Sequence, residues 1–176
     1  MILMKKQKVV TLMAKCQFVI TGKRNTERVG RMLTQMKNNY QIIGNEIVDS
    51  NAELFYNALM DTINEQDFPP LSQSYLERKG LLGLDTRILI ATGEYLSNIQ
   101  IRRVNGLNGK TARHVGVDSR TKHSGTDLTM SDLALIMEYG TSDGRIPPRP
   151  HYGKTWERIL PQVRRNTLEI ARKMVR

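Results

Sequence analysis

The side chains that could perform chemistry are few and scattered along the chain. The three histidines and the one cysteine are His114, His123, His151 and Cys16. A metal site needs several ligands at a characteristic spacing, and a nucleophilic cysteine needs a base beside it. No such spacing of Cys, His or paired carboxylates occurs, and no phosphate loop of the Gly-x-x-x-x-Gly-Lys type is present. We therefore predict that the protein is not an enzyme and has no catalytic, cofactor-binding or metal-binding residues.

Charge is the strongest feature of the composition. The 27 basic residues exceed the 17 acidic residues, which gives a formal net charge of +10. This excess favours a polyanionic environment such as nucleic acid, although many small domains are basic without binding it. One cysteine excludes an intramolecular disulfide, and no apolar run approaches the ~20 residues that cross a membrane. We expect a cytoplasmic protein without a membrane partner.

One helical pattern dominates the first half of the chain. Residues 1–15 read as a basic arm or strand, and the β-formers of Cys16–Thr21 predict a strand. From 27 to 66 the apolar residues recur every three or four positions, as on one face of a helix. Unbroken, this helix would be roughly 60 Å long, which favours packing against other subunits. Gly44 or residues 49–51 could instead bend it into two helices.

Charge is also segregated along this half. Residues 1–24 carry only basic charge, whereas residues 45–70 carry only acidic charge. A solvated helix face explains such a run, and so does a ring in which the basic end of one subunit meets the acidic end of its neighbour.

The middle of the chain predicts a short helix followed by a β-hairpin. Residues 71–80 form a helical segment that we expect Gly80 to close. The β-like segments 99–104 and 111–117 flank two Asn-Gly dipeptides, which favour a tight turn. The hairpin would be strongly basic.

The segment Leu133-Ala-Leu-Ile-Met-Glu-Tyr-Gly-Thr141 predicts another short helix. Thr129 or Ser131 can cap its start, with Asp132 placed as the acid of a capping box after Thr129. Gly140 would supply a left-handed stop. The glycines of 140–144 also suit an anion-binding nest, but no strand–loop–helix context supports one.

Residues 143–152 form a proline-rich arm. Pro147, Pro148 and Pro150 would hold an extended backbone and display Arg149 between them. Such an arm suits docking on a neighbour, and a rigid connector within the chain is the alternative. Glu138 would be either an exposed carboxylate or an internal partner of Arg149 or Arg145, and we favour the internal partner.

The last helix begins near Tyr152 and has an apolar face that includes Trp156 and Ile159. Pro161 lies inside it and should kink the helix or start a new one. The whole pattern predicts one α+β domain over residues 1–176. It would combine a long N-terminal helix, a small antiparallel sheet with a basic hairpin and a C-terminal helix.

Several short motifs in order resemble those of a phage protein family. They are Pro69-Pro-Leu71, Arg78-Lys-Gly80, Leu89, Thr92-Gly-Glu-Tyr-Leu-Ser97, Ile99, Glu138-Tyr-Gly-Thr141, Ile146-Pro-Pro-Arg-Pro150 and Trp156. Together they resemble the virion morphogenesis (tail completion) proteins of Mu-like phages and the related lambdoid tail-component family. The spacing after Gly93 differs slightly from the family pattern. His151 stands where an aromatic is usual, with Tyr152 beside it.

The resemblance implies a structural protein of the phage neck, made in the host cytoplasm and carried in the virion. Copies would form a ring, expected to be a hexamer, that completes the tail and joins it to the head connector while DNA passes through non-specifically. The expected partners are the tail terminator or tail tube and the portal-side proteins. The subunit-interface residues would be Glu138, Tyr139, Gly140, Thr141, Pro147, Pro148, Arg149, Pro150 and Trp156. The candidates to face the DNA channel are Arg102, Arg103, Lys110, Arg113, Arg164, Arg165, Arg172 and Lys173.

Two alternatives stay open at this point. One is a tail terminator or tail-tube-type ring protein. The other is a free nucleic-acid-binding protein that uses the same basic surfaces without sequence preference. Few aromatic residues lie near the basic runs, which disfavours single-strand binding, and no helix-turn-helix pattern is apparent.

Overall fold

The computed structural model describes residues 23–105, 111–124 and 126–173, with the side chains of 23–25 and 105 left aside. The fold is α+β, as predicted. The elements in chain order are α1 (Lys23–Glu65), α2 (Gln73–Leu81), α3 (Glu94–Ser97), β1 (Gln100–Asn105), β2 (Thr111–Gly116), α4 (Met130–Tyr139) and α5 (His151–Arg172).

Two compact units meet in sequence at Asn38 and Asn39. The first contains the beginning of α1, and the second contains the rest of α1 and every later element. Two predicted N-terminal features, the basic arm 1–15 and the strand 16–21, lie outside the described residues, as does Lys110.

Helix α1 is continuous through Gly44 and through residues 49–51. The prediction of one long helix is therefore correct, and the alternative of two helices is wrong. The helix stops at Gln66, which has a φ of 55°. The Gln66 side chain then joins the backbone of Ile88 twice, accepting from its N–H at 2.6 Å and donating to its carbonyl at 3.1 Å.

The core of the second unit lies where α1, α3 and α4 meet the end of the hairpin. Its buried residues come from each of these elements: Leu59, Ile63, Tyr95, Ile99, Val117 and Met130. Burial of each large side chain contributes about 1.5–3 kcal/mol, so these few contacts hold the elements together.

The predicted hairpin is confirmed. Strands β1 and β2 pair in antiparallel register from Gln100 opposite Gly116 to Asn105 opposite Thr111. Helix α2 departs from its prediction because it runs past Gly80 to Leu81. The left-handed position falls on Gly83, whose φ is 64°.

The capping box of α4 is also confirmed. The Thr129 hydroxyl accepts from Asp132 N–H at 3.1 Å, and the Asp132 carboxylate accepts from Thr129 N–H at 3.1 Å. The Thr129 hydroxyl also donates to the Asp132 carboxylate at 2.6 Å. This hydrogen bond, followed by the one from Thr129 N–H, holds the pKa of Asp132 below its usual value. Gly140 then ends the helix with φ 77° and ψ −176°.

Helix α5 lies antiparallel to the second half of α1. Its start packs near Thr62, where the Thr155 and Thr62 hydroxyl oxygens are 2.8 Å apart, and its end lies beside Glu46, which pairs with Lys173 at 2.8 Å. Pro161 does not start a new helix, since α5 remains one element.

Candidate subunit interface

A groove of about 490 Å³ opens on the second unit between α4, α5, β2 and α1. Its floor includes Phe55 and Val117, and its rim carries three large exposed hydrophobic residues, which are Leu135, Tyr139 and Trp156. We call this surface the α4–α5 groove. Tyr139 is 75% exposed, which is unusual for an aromatic side chain.

The rim is exposed because α4 is apolar on two faces. Leu133 and Ala134 pack against the core, while Leu135 and Tyr139 lie one turn apart on the outer face. A helix that is apolar on both faces is normally covered on both. The outer face of α4 therefore has the composition of a surface that meets a partner.

Aromatic contacts fix the α5 side of the groove. The Phe55 ring lies 6.5 Å from that of Tyr152 and 6.2 Å from that of Trp156. Trp156 is thus held against α1 by one edge, and about half of its surface remains open to solvent.

Hydrogen bonds to Glu138 connect the end of α4 to the start of α5. Its carboxylate accepts from the N–H groups of Tyr152 at 3.0 Å and Gly153 at 2.8 Å. A carboxylate at a helix N-terminus accepts from N–H groups that have no partner in the helix. Its negative charge also interacts favourably with the positive end of the helix dipole. The predicted internal role is correct, but the predicted partners are wrong: Arg145 pairs with Asp143, and Arg149 binds elsewhere.

His151 lies fully buried beside these Glu138 hydrogen bonds. Its Nδ1 is 3.0 Å from the Arg149 carbonyl oxygen, and its Nε2 is 2.7 Å from the Tyr95 hydroxyl. Because a carbonyl can only accept, we assign the proton to Nδ1, so that Nε2 accepts from Tyr95. Burial lowers the pKa of His151 and raises that of Tyr95.

The sequence did not reveal this cluster. Glu138, His151 and Tyr95 lie on three different helices, and no fixed spacing connects them. The only available signal was that His151 replaces an aromatic in the motif. Since the imidazole is closed to solvent, the arrangement serves to hold α3, α4 and α5 together.

Arg149 is not displayed by the proline-rich arm. Only 4% of it is exposed, and its guanidinium donates to the carbonyls of Pro69 at 3.2 Å and Pro70 at 3.4 Å. Burial lowers the pKa of this guanidinium. The expectation that Arg149 projects toward a neighbour is therefore wrong, because the two carbonyls after α1 need donors and Arg149 supplies them.

The other predicted interface residues divide by exposure. Tyr139 and Trp156 lie at the α4–α5 groove, and Pro148 and Pro150 are also exposed. Gly140, Thr141 and Pro147 are only partly exposed and shape the turn between α4 and α5.

The predicted DNA-channel residues also divide. Arg113 is nearly buried in an ion pair with Asp49, so it cannot face a channel. Arg102 pairs with Asp118, and Lys173 pairs with Glu46. Four others are exposed and form no ion pair with any described residue: Arg103, Arg164, Arg165 and Arg172.

The acidic run of α1 is largely neutralised within the chain. Four carboxylates of this run form ion pairs with basic residues of β2, of α5 and of its C-cap: Glu46 with Lys173, Asp49 with Arg113, Glu65 with Arg158 and Asp67 with Lys154. Each of these four carboxylates therefore already has a basic partner within the chain.

Comparison with known proteins found no counterpart: no family model matches the chain, and neither a curated protein nor a solved structure does. Among the described helices, none is long and apolar enough to cross a membrane. The described residues also contain no cluster of His, Cys, Asp and Glu suited to hold a metal ion.

Proposed function

We propose that this protein is a structural subunit of the neck of a tailed phage or a phage-derived particle. Its copies associate into a ring that completes the tail and joins it to the head connector, and DNA passes through the ring. The resemblance of the motifs between Pro69 and Trp156 suggests this class. One observation carries the self-association: large apolar side chains are exposed on two separate helical surfaces.

The first of these surfaces lies on α1. Met32, Leu33 and Met36, all in the first unit, are each more than half exposed. They follow one another at helical spacing, so they form one apolar stripe. Each such side chain gains about 1.5–3 kcal/mol when a partner buries it, which makes the stripe a strong source of association energy.

The second surface is the rim of the α4–α5 groove. Leu135, Tyr139 and Trp156 would add a cluster with the aromatic content that is typical of interface centres. Soluble monomers rarely leave two such patches open.

The proposal is tested by the oligomeric state of the purified protein. Light scattering after size-exclusion chromatography should give a closed oligomer, and negative-stain electron microscopy should image rings, alone or with tail and connector proteins. A protein that stays monomeric at high concentration and forms no ring with these partners would contradict the proposal.

The free nucleic-acid-binding protein remains the second candidate, favoured by the four unpaired exposed arginines. Binding of this kind is independent of sequence and weakens steeply with salt. A salt-dependent gel shift by a monomer or dimer, with no rings in the electron microscope, would favour it over the neck protein.

A further inference from the structure

We propose that the N-terminal segment of α1 in one copy docks into the α4–α5 groove of the next copy. The segment meant here is residues 23–38, which we call the α1 segment. The inference rests on the proposed self-association and names the two surfaces that meet. It commits to a second copy of this chain as the occupant of the groove.

The α1 segment has the chemistry of a helix that binds in a groove. Met32 and Met36 lie four residues apart, and both are more than half exposed, as is Leu33. Their spacing places them on one face, which is how amphipathic helices present their anchors to an apolar groove. Methionine side chains adapt their shape readily and suit such a contact.

The α4–α5 groove offers the complementary apolar surface. Its rim residues Leu135, Tyr139 and Trp156 project beside a floor that includes Phe55 and Val117. The groove is bounded by α4, α5, α1 and β2. The hydrogen bond from Tyr152 N–H to Glu138 holds α4 and α5 in place beside it. A pre-organised surface of this kind loses little entropy when it is covered.

Charge identifies the partner more closely than shape does. The α1 segment carries five basic residues and one acidic residue, Glu27. Residues 124–144, which include α4, carry four acidic residues and no basic residue, in a chain whose net charge is +10. Of these four, Asp132 is exposed one turn before Leu135. Outside this range, Glu157 of α5 is exposed beside Trp156.

This distribution favours segment-to-groove contact over pairing of two α1 segments. Two copies of the α1 segment would bring like charges together, which opposes association. A basic segment against an acidic rim places opposite charges around an apolar centre. That is the usual arrangement of a specific interface.

The contact has a consequence for symmetry. Each copy would use one surface to bind the copy ahead and a different surface to bind the copy behind. Such a head-to-tail contact closes into a ring when the rotation per subunit allows it. The proposal therefore explains how copies of the chain could form rings through the α1 segment and the α4–α5 groove.

The test uses two full-length variants that each lose one surface. The segment variant carries Met32→Glu and Met36→Glu, and the groove variant carries Leu135→Glu and Tyr139→Glu. All four residues are exposed, so circular dichroism should record a native fold in both. By light scattering, each variant alone should be monomeric at concentrations where the wild type is oligomeric, with at least a tenfold loss in self-association.

Mixing the two variants provides the decisive measurement. The groove variant retains an intact α1 segment, and the segment variant retains an intact groove, so one native contact can form. The mixture should therefore give a one-to-one dimer and no larger species. A control with Leu81→Glu and Leu82→Glu, which adds the same charge at other exposed apolar positions, should keep the wild-type oligomer.

The outcomes separate this inference from the proposed function. A wild-type oligomer combined with no dimer in the mixture would overturn the segment-to-groove contact alone. An oligomeric groove variant beside a monomeric segment variant would point to pairing of α1 segments and would also overturn it. A folded wild type that stays monomeric alone and forms no ring with tail and connector proteins would overturn both proposals.

Discussion

At the scale of single residues, Gly140 and His151 position the start of α5. Gly140 has a φ of 77° and a ψ of −176°, a combination that side chains with a Cβ rarely adopt. His151 is fully buried and hydrogen-bonded at both ring nitrogens. The turn and the histidine hold the start of α5 where Glu138 reaches it.

The Gly140→Ala substitution should destabilise the fold by about 1–3 kcal/mol, because alanine would have to adopt the unfavourable backbone conformation of Gly140. A Cβ there would also lie 2.7 Å from the Ile146 carbonyl oxygen. The measurement is the free energy of unfolding from urea titration.

Gly44→Ala is the matched control. Gly44 lies within α1, and its added Cβ would meet nothing within 4 Å. That substitution should stabilise the protein by up to about 1 kcal/mol, since alanine favours the helix. Equal effects of the two substitutions would refute the special role of the Gly140 backbone.

Acidification should destabilise the protein through His151. Burial lowers the pKa of this imidazole in the folded state, whereas the unfolded chain titrates near the ordinary value of about 6.5. Below that pH the unfolded state binds a proton that the folded state does not, so stability falls as pH falls. The slope approaches about 1.4 kcal/mol per pH unit until the folded imidazole also protonates.

The check is the free energy of unfolding between pH 7 and pH 5, in wild type and in His151→Phe. The variant should lose stability at pH 7, because Tyr95 loses its acceptor, but its dependence on pH in this window should be much weaker. An unchanged pH dependence in the variant would assign the effect to other groups.

At the scale of elements, α5 and β2 show why a run of basic residues in the sequence does not reveal which of them are free of ion pairs. Helix α5 turns Arg158 and Lys173 toward carboxylates of α1, and β2 does the same with Arg113. The exposed face of α5 keeps Arg164, Arg165 and Arg172. These three lie close to one stripe of the helix and form a basic surface without ion-pair partners among the described residues.

Replacing Arg164, Arg165 and Arg172 with Gln should leave assembly intact but weaken binding of duplex DNA. If each contacts one phosphate, the slope of log affinity against log salt should decrease in magnitude by about 2.7. Fluorescence anisotropy of labelled duplex at several salt concentrations measures this slope, and infectivity assays test DNA passage.

The control replaces Arg87 and Arg145, two exposed arginines that pair with neighbouring aspartates Asp85 and Asp143. It should leave the salt slope almost unchanged. Unaltered DNA affinity and infectivity in the triple variant would remove this face of α5 from the DNA path.

At the scale of the whole molecule, the proposed assembly must overcome the repulsion of its own subunits. Each copy carries a formal net charge of +10, and like-charged copies oppose association at long range. Apolar contact at the α4–α5 groove and local pairing with acidic residues would offset this repulsion. DNA in a channel would reduce it further, because a polyanion screens the basic faces that surround it.

Local patterns were enough to determine most of the secondary structure. The apolar period of α1, the two β-like segments of the hairpin and the Thr129–Asp132 capping box are local patterns, so the sequence predicts them directly. Only tertiary structure decided which charges meet. Arg149 donates to the carbonyls of Pro69 and Pro70, about 80 residues away in sequence. Glu138 accepts from the N-terminus of α5. The physical reason is that a buried charge takes the partner that folding brings within reach, whatever its distance along the chain.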